Sequence, residues 1–422
     1  MYLPTTPAFG YPDDGEERPP FVLIEPYAYF ADRDNATTAI CDDLDGKFKV
    51  TFCTARPPLV SYMCFHATGC GHTSFAVEPQ ILATETDGSR VLLRVVFGNR
   101  PSAIMFPHNR EYFVYDARCP SLKRLPHPGS FQFGDDSLAF VRKCTHGASH
   151  DCSNCGYVLA AHSGGFEYPE PFELYLYDSD SGKWGIKPVV LEENPSSDQV
   201  PYHCSCKAIT IGGHQGTVAW VDLWHNIVRC DVLAELPVLR SLELPPPILL
   251  YNEVRGGNPR SLRDIALLDG SFKYVQIQPG SRAATLGYWQ WEVTVWSIKI
   301  SSSSAEDWKA EYKLKSSEIE IPQASLQINA GIPQPTLSTL HVGLPNLSLQ
   351  EDGIVYLLSK VNHCDNDHVA WVLAVDMRNK TIKKVEEFNP SRTLGLAKGY
   401  SASSISKFLK GKTSHPYSRV YV

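Results

Sequence analysis

The sequence has no apolar run long enough to cross a bilayer. The longest, such as Val369-Ala-Trp-Val-Leu-Ala-Val375, fall far below the roughly 18 residues a span requires. The N-terminus, Met1-Tyr-Leu-Pro-Thr-Thr-Pro, has no basic segment leading into an apolar one, so it does not read as a secretory signal. No basic cluster stands out, and the formal net charge is -7. Nucleic acid and anionic membrane are therefore not expected as partners. Helical periodicity is scarce too. Only Asp231 to Leu239 and Ser401 to Leu409 offer room for a short helix, and Pro237 cuts the first.

The motifs of common enzymes are also missing. There is no Gly-x-Ser-x-Gly elbow, no His-Glu-x-x-His helix, no Gly-x-Gly-x-x-Gly and no phosphate loop. No catalytic residue, cofactor-binding residue or cofactor is assigned on that ground. Twelve cysteines without a signal peptide fit thiols in a reducing compartment, so a cytoplasmic or nuclear location is expected.

What the chain does contain is short β-branched and aromatic runs with period-two alternation, broken by Gly, Asp, Asn and Pro. Lys47-Phe-Lys-Val-Thr-Phe52 and Trp291-Glu-Val-Thr-Val-Trp296 are examples. One plan recurs: a strand, an Asp at its end, a small polar turn, then an apolar return. It starts at Tyr112, at Phe172 and at Val369, and its corner residues are Asp116, Asp178 and Asp376. Asp and Asn bond their own following backbone in such turns, and the returning strand lays its apolar residues on a neighbouring sheet. The pattern predicts an all-β fold, an irregular β-propeller of five or six blades, with two β-sandwich domains as the alternative. Residues 1–20 read as a loose leader, 21–390 as one propeller-like domain, and 391–422 as a C-terminal tail with room for a short helix.

The densest stretch is Gly216-Thr-Val-Ala-Trp-Val-Asp-Leu-Trp-His-Asn-Ile-Val-Arg-Cys-Asp231. It reads as two strands joined by a turn. Trp220 and Cys230 would face the core, Asp222 and Asp231 would end their strands and satisfy turn amides, and Asn226 would take the left-handed conformation that Asn tolerates. Trp220-Val-Asp-Leu-Trp-x-x-Ile-x-x-Cys-Asp231, then Leu239-Arg-x-Leu-x-Leu-Pro-x-Pro247 and Arg263-Asp264, resemble the signature of a plant domain-of-unknown-function family expanded in grasses, sixteen-eighteen in its numbered series. Asn35-Ala-Thr-Thr-Ala39, Pro57-Pro-Leu-Val-Ser61 and Tyr112-Phe-Val-Tyr-Asp116 are similar to that family's N-terminal landmarks. The family has Gly where this chain has Asn226. The resemblance implies plant origin and marks Trp220, Asp222, Cys230, Asp231 and Asp264 as a structural signature, but brings no reaction or ligand. A more distant similarity links the chain to the propellers that follow F-box motifs. No helical F-box-like segment precedes Phe21, so an adaptor role is not expected.

Cys144-Thr-His-Gly-Ala-Ser-His-Asp-Cys-Ser-Asn-Cys155 holds the strongest metal candidate. Thiolate and imidazole suit tetrahedral zinc, and His146, His150, Cys152 and Cys155 are the candidate ligands. Their spacing is cramped for a zinc finger and lacks a second ligand pair, unless the distant His203-Cys-Ser-Cys206 supplied it. A loop insertion without metal is the favoured reading. The functional expectation is a non-enzymatic scaffold that binds a protein partner through propeller loops. A carboxylate-based hydrolase or lyase with its site in the central channel is the alternative.

Overall fold

The computed structural model describes residues 6–8, 18–43, 46–69, 71–85, 87–143, 155–163, 173–192, 203–245, 257–279, 290–319, 337, 340–361, 369–389, 392 and 399–409. Their strands form six sheets, the blades of a six-bladed β-propeller. Blade 2 runs Gln80–Thr84, Arg90–Val96, Arg110–Asp116 and Ser121–Arg124. Blade 3 runs Ala139–Lys143, Gly156–His162, Glu173–Asp178 and Lys183–Pro188. Blade 4 runs Lys207–Gly212, Thr217–Val221, Asn226–Asp231 and Val238–Glu243, with Val190–Leu191 added outside. Blade 5 runs Arg263–Leu268, Ser271–Pro279, Trp291–Lys299 and Lys309–Lys315. Blade 6 runs His341–Leu347, Ile354–Lys360, Ala370–Asp376 and Thr381–Phe388. First strands of successive blades touch one another from blade 2 to blade 6, and blade 6 in turn touches Ser401–Ser403. These strands surround the central axis.

Blade 1 closes the ring with both ends of the chain. Val22–Ile24 pairs antiparallel with Ser401–Ser403 and parallel with Val60–Thr68, which continues into Gly46–Cys53 and Ala39–Asp43. The C-terminal stretch expected as tail or short helix thus contributes a strand, followed by one 3-10 turn at Ile405–Lys407. Asp231 to Leu239 also makes no helix, because its residues turn between two strands of blade 4.

Burial follows position in the blade. Ile354–Lys360 and Ala370–Asp376 are buried along their whole length, whereas the outer strand Thr381–Phe388 buries only Ile382 and Phe388. A middle strand is covered by a blade on each face, so it reads as a continuous apolar run. Aromatic side chains tie each of blades 2 to 5 to the one before it. The Tyr115 hydroxyl donates to the Thr37 carbonyl (2.7 Å), and the indole Nε1 of Trp184 to that of Pro126 (2.8 Å). The same atom of Trp220 donates to Ser137 (2.6 Å), and that of Trp308 to Glu243 (3.0 Å). Each ring buries a large apolar body while its polar edge finds a partner.

The corner aspartates act locally. Asp116 Oδ1 accepts from the Arg118 amide (2.9 Å), Asp178 Oδ1 from that of Asp180 (3.0 Å), and Asp376 Oδ1 from that of Arg378 (3.0 Å). Three blades thus use the same turn.

Candidate functional site

One end of the propeller gathers the segments that lead into the first strands and the turns between second and third strands. In blade 4 these are 203–206 and the turn from Asp222 to Asn226. Asp222 is buried and accepts three bonds there: Oδ1 takes the Trp224 amide (2.8 Å), while Oδ2 takes the Cys204 amide (3.0 Å) and His225 Nδ1 (2.9 Å). One carboxylate therefore closes the turn and fastens the entering segment to it.

Beside it lies a relay. His203 Nδ1 donates to Asn226 Oδ1 (2.6 Å), which leaves Nε2 to accept the Ser205 hydroxyl proton (2.9 Å). His162 Nε2 donates to the same hydroxyl oxygen (2.8 Å). Burial pushes the His162 ring down to about 3, with His203 adding to the effect, and burial lowers His203 as well. Both imidazoles are neutral near pH 7, as an acceptor nitrogen on His203 requires. Asn226 does not adopt the left-handed conformation expected of it. It is the closing pair of the hairpin, exchanging backbone bonds with Asp222 (2.9 and 3.1 Å), and a closing pair is extended. The Asn226 side chain instead holds His203.

Two further carboxylates stand at this mouth. Asp135 pairs with Arg94 and lies 3.8 Å from Arg110. Asp136 is raised by desolvation, which Arg260 and Arg94 oppose. Arg260 in turn donates to the Cys206 carbonyl (2.8 Å). Trp224 lies under the Arg263 guanidinium, 4.3 Å from ring centroid to Cζ, a cation–π contact.

The signature residues are distributed through blade 4 and its border. Trp220 and Cys230 are buried, each opposite an apolar neighbour: Trp220 faces Val228 and Cys230 faces Val218. The Asp231 carboxylate binds the Thr217 hydroxyl (2.5 Å) and Arg240 (3.6 Å), where a turn amide was expected. Asp264 takes Lys207 Nζ (2.7 Å). Of the zinc candidates, His146, His150 and Cys152 lie outside the described residues. Cys155 is half-buried, and its carbonyl accepts from Arg90 (3.0 Å). Among the described residues no three His, Cys, Asp or Glu side chains converge as metal ligands. No helix among them is long and apolar enough to cross a membrane.

The turn between second and third strands of blade 2 opens on the same end. It exposes Met105 (74%) and Phe106 (52%) to solvent. Its backbone is nonetheless fixed. Arg110 donates twice to the Ile104 carbonyl (3.0 and 2.8 Å), Asn109 Nδ2 to that of Ala103 (3.2 Å), and His127 Nε2 to that of Pro107 (3.0 Å). Gly98, at φ +141°, lets Ala103 come so close that a Cβ there would sit 2.6 Å from the Ala103 methyl. Sequence reasoning missed this pair and the His162–Ser205–His203 relay. The Met-Phe-Pro run was the available signal for the first. The relay joins positions 43 residues apart, with no local signal.

The family model described as "Protein of unknown function (DUF1618)" matches residues 220–356, from the buried tryptophan of blade 4 into blade 6. No curated protein matches the chain. Among solved structures, a GDP-Man-dependent mannosyltransferase from Leishmania mexicana aligns with 66% of this chain and 79% of its own, at 11% identity and a TM-score of 0.22. A likeness that low carries no argument here.

Proposed function

We propose that this chain is a non-enzymatic interaction scaffold, of the plant family its signature resembles, that binds a protein partner at the end where the blade 2 turn and the blade 4 latch emerge. One observation carries the reading: Met105 and Phe106 stand in solvent on a backbone that four side-chain hydrogen bonds hold in place. Two large apolar side chains on a mobile loop would lose much of their binding energy to ordering, whereas a fixed pair does not. Exposed Arg100 and His108 flank them, which favours a partner with an apolar pocket and an acidic rim.

The carboxylate-based hydrolase or lyase is the weaker reading. Asp135 pairs with Arg94, turn amides hold Asp222, and the charges of Arg260 and Arg94 act on Asp136, which does not favour a working acid and base pair. Cytoplasmic or nuclear residence is supported by the thiols among the described residues, which stay unbridged, including Cys53 and Cys64 on neighbouring strands.

The test is quantitative affinity chromatography from plant extract with wild type, the Met105→Ser/Phe106→Ser double variant and Leu236→Ser. Leu236 is as exposed as Phe106 but lies in a turn at the opposite end. A partner recovered by wild type and Leu236→Ser and lost from the double variant is the expected result. Equal recovery by all three, or no reproducible partner, refutes it.

A further inference from the structure

At the other end of blade 4, where Thr217 begins and Asp231 ends its strand, a cavity of about 310 Å³ lies against blade 5. Two arginines, Arg229 and Arg240, line it and stand directly opposite each other on adjacent strands. Like charges in that position repel and weaken a sheet unless something neutralises them.

The available carboxylates form ion pairs with only one of the two. Glu192 lies 3.2 Å and Asp231 3.6 Å from Arg240, and both acids are partly exposed. Arg229 forms no ion pair among the described residues. Its Nη1 and Nη2 donate instead to the carbonyls of Ile300 and Ser302, and its Nε is buried without a hydrogen-bond partner there. Carbonyls fix the orientation of the guanidinium, and Glu192 and Asp231 act on its charge only through space, against the opposing effects of burial and Arg240. A half-buried cation in that state attracts an anion. Ser301 and Ser303 also face the cavity.

The volume exceeds what an inorganic phosphate fills and falls at the small end of the roughly 300–1,000 Å³ typical of ligand sites. Arginine forks suit phosphoryl oxygens. The rim carboxylates and serine hydroxyls suit a neighbour rich in hydroxyl groups. We propose that this cavity binds a phosphorylated sugar of hexose size, with its phosphoryl group against Arg229 and Arg240 and its hydroxyls on Asp231 and Glu192. The site is independent of the partner surface, which lies at the opposite end.

Isothermal titration calorimetry of the full chain with glucose 6-phosphate, orthophosphate and glucose tests this. Saturable binding of glucose 6-phosphate, weaker binding of orthophosphate and none of glucose are expected. Arg240→Gln, at a partly exposed position, and Arg229→Met should each weaken glucose 6-phosphate by about tenfold or more, with the circular dichroism unchanged for Arg240→Gln. Asp231→Asn should weaken the sugar phosphate and spare orthophosphate. No saturable heat from either phosphate up to about 10 mM, or binding untouched by Arg240→Gln, overturns the site. Equal affinity for orthophosphate and glucose 6-phosphate overturns the sugar.

Discussion

Arg392 is the perturbation with the clearest expected result. Its Nε lies 2.7 Å from Glu25 Oε2, its Nη2 donates to the carbonyls of Tyr27 and Ala28, and its guanidinium sits 4.2 Å from the centroid of the Tyr29 ring. Both ions are buried, with 7% and 3% of their side chains exposed. Tyr29 donates to the remaining Glu25 oxygen (2.7 Å). Arg392→Met removes one member of a desolvated pair and leaves the other carboxylate without its cation. Such a change costs about 3–5 kcal/mol.

Burial already pushes the Glu25 carboxyl above its usual range, with Arg392 opposing that rise. In the variant the rise is larger, and the folded state holds a proton that the unfolded state has released. An acid with a raised folded pKa costs stability as pH rises through the interval between its unfolded and folded values. The cost of Arg392→Met should therefore grow by up to about 1.4 kcal/mol per pH unit above the unfolded value. Urea unfolding followed by tryptophan fluorescence at about pH 5 and pH 8 measures it. Glu25→Gln combined with Arg392→Met should be more stable than Arg392→Met alone, because no buried charge is stranded. A loss below about 1 kcal/mol, a loss independent of pH, or strict additivity of the two substitutions would refute this account.

Two further outcomes follow from the same structure. His162 has a folded pKa of about 3, so the unfolded chain gains protons first and stability falls as pH drops from its unfolded value toward 3. His162→Gln should flatten that slope by up to about 1.4 kcal/mol per pH unit, read from urea midpoints at several pH values; an unchanged slope counts against the buried neutral imidazole. Gly216 has φ +62°, and a Cβ there would meet Leu233 at 2.6 Å and Val141 at 2.8 Å. Gly216→Ala should cost about 1–3 kcal/mol, seen as a lower urea midpoint with the slope unchanged, and a neutral result would contradict the packing between blades 3 and 4.

The parts of this fold legible in the sequence are those governed by neighbours a few residues away. Corner aspartates at 116, 178 and 376 announce their turns because the amide they bind is two residues on. Strand alternation announces the blades. Asn226 was legible as a hairpin residue but misplaced within it, since whether it sits in the turn or closes it depends on a shift of one position. Ser401–Ser403 looked helical because its strand partner stands at Val22–Ile24, almost the whole chain away. The relay of His162, Ser205 and His203 was invisible for the same reason, since no local pattern states which two loops a propeller brings side by side.

That first sheet also sets an order of events during synthesis. Val22–Ile24 leaves the ribosome before either of its neighbours and can align with Val60–Thr68 as soon as that strand emerges, yet its other edge stays bare until Ser401–Ser403 has been made. Until then the ring is an open arc in which one edge of that strand is unpaired. An open edge recruits whatever strand is near, so a product interrupted before Ser401 should join to its own kind, while the finished chain occupies that edge itself.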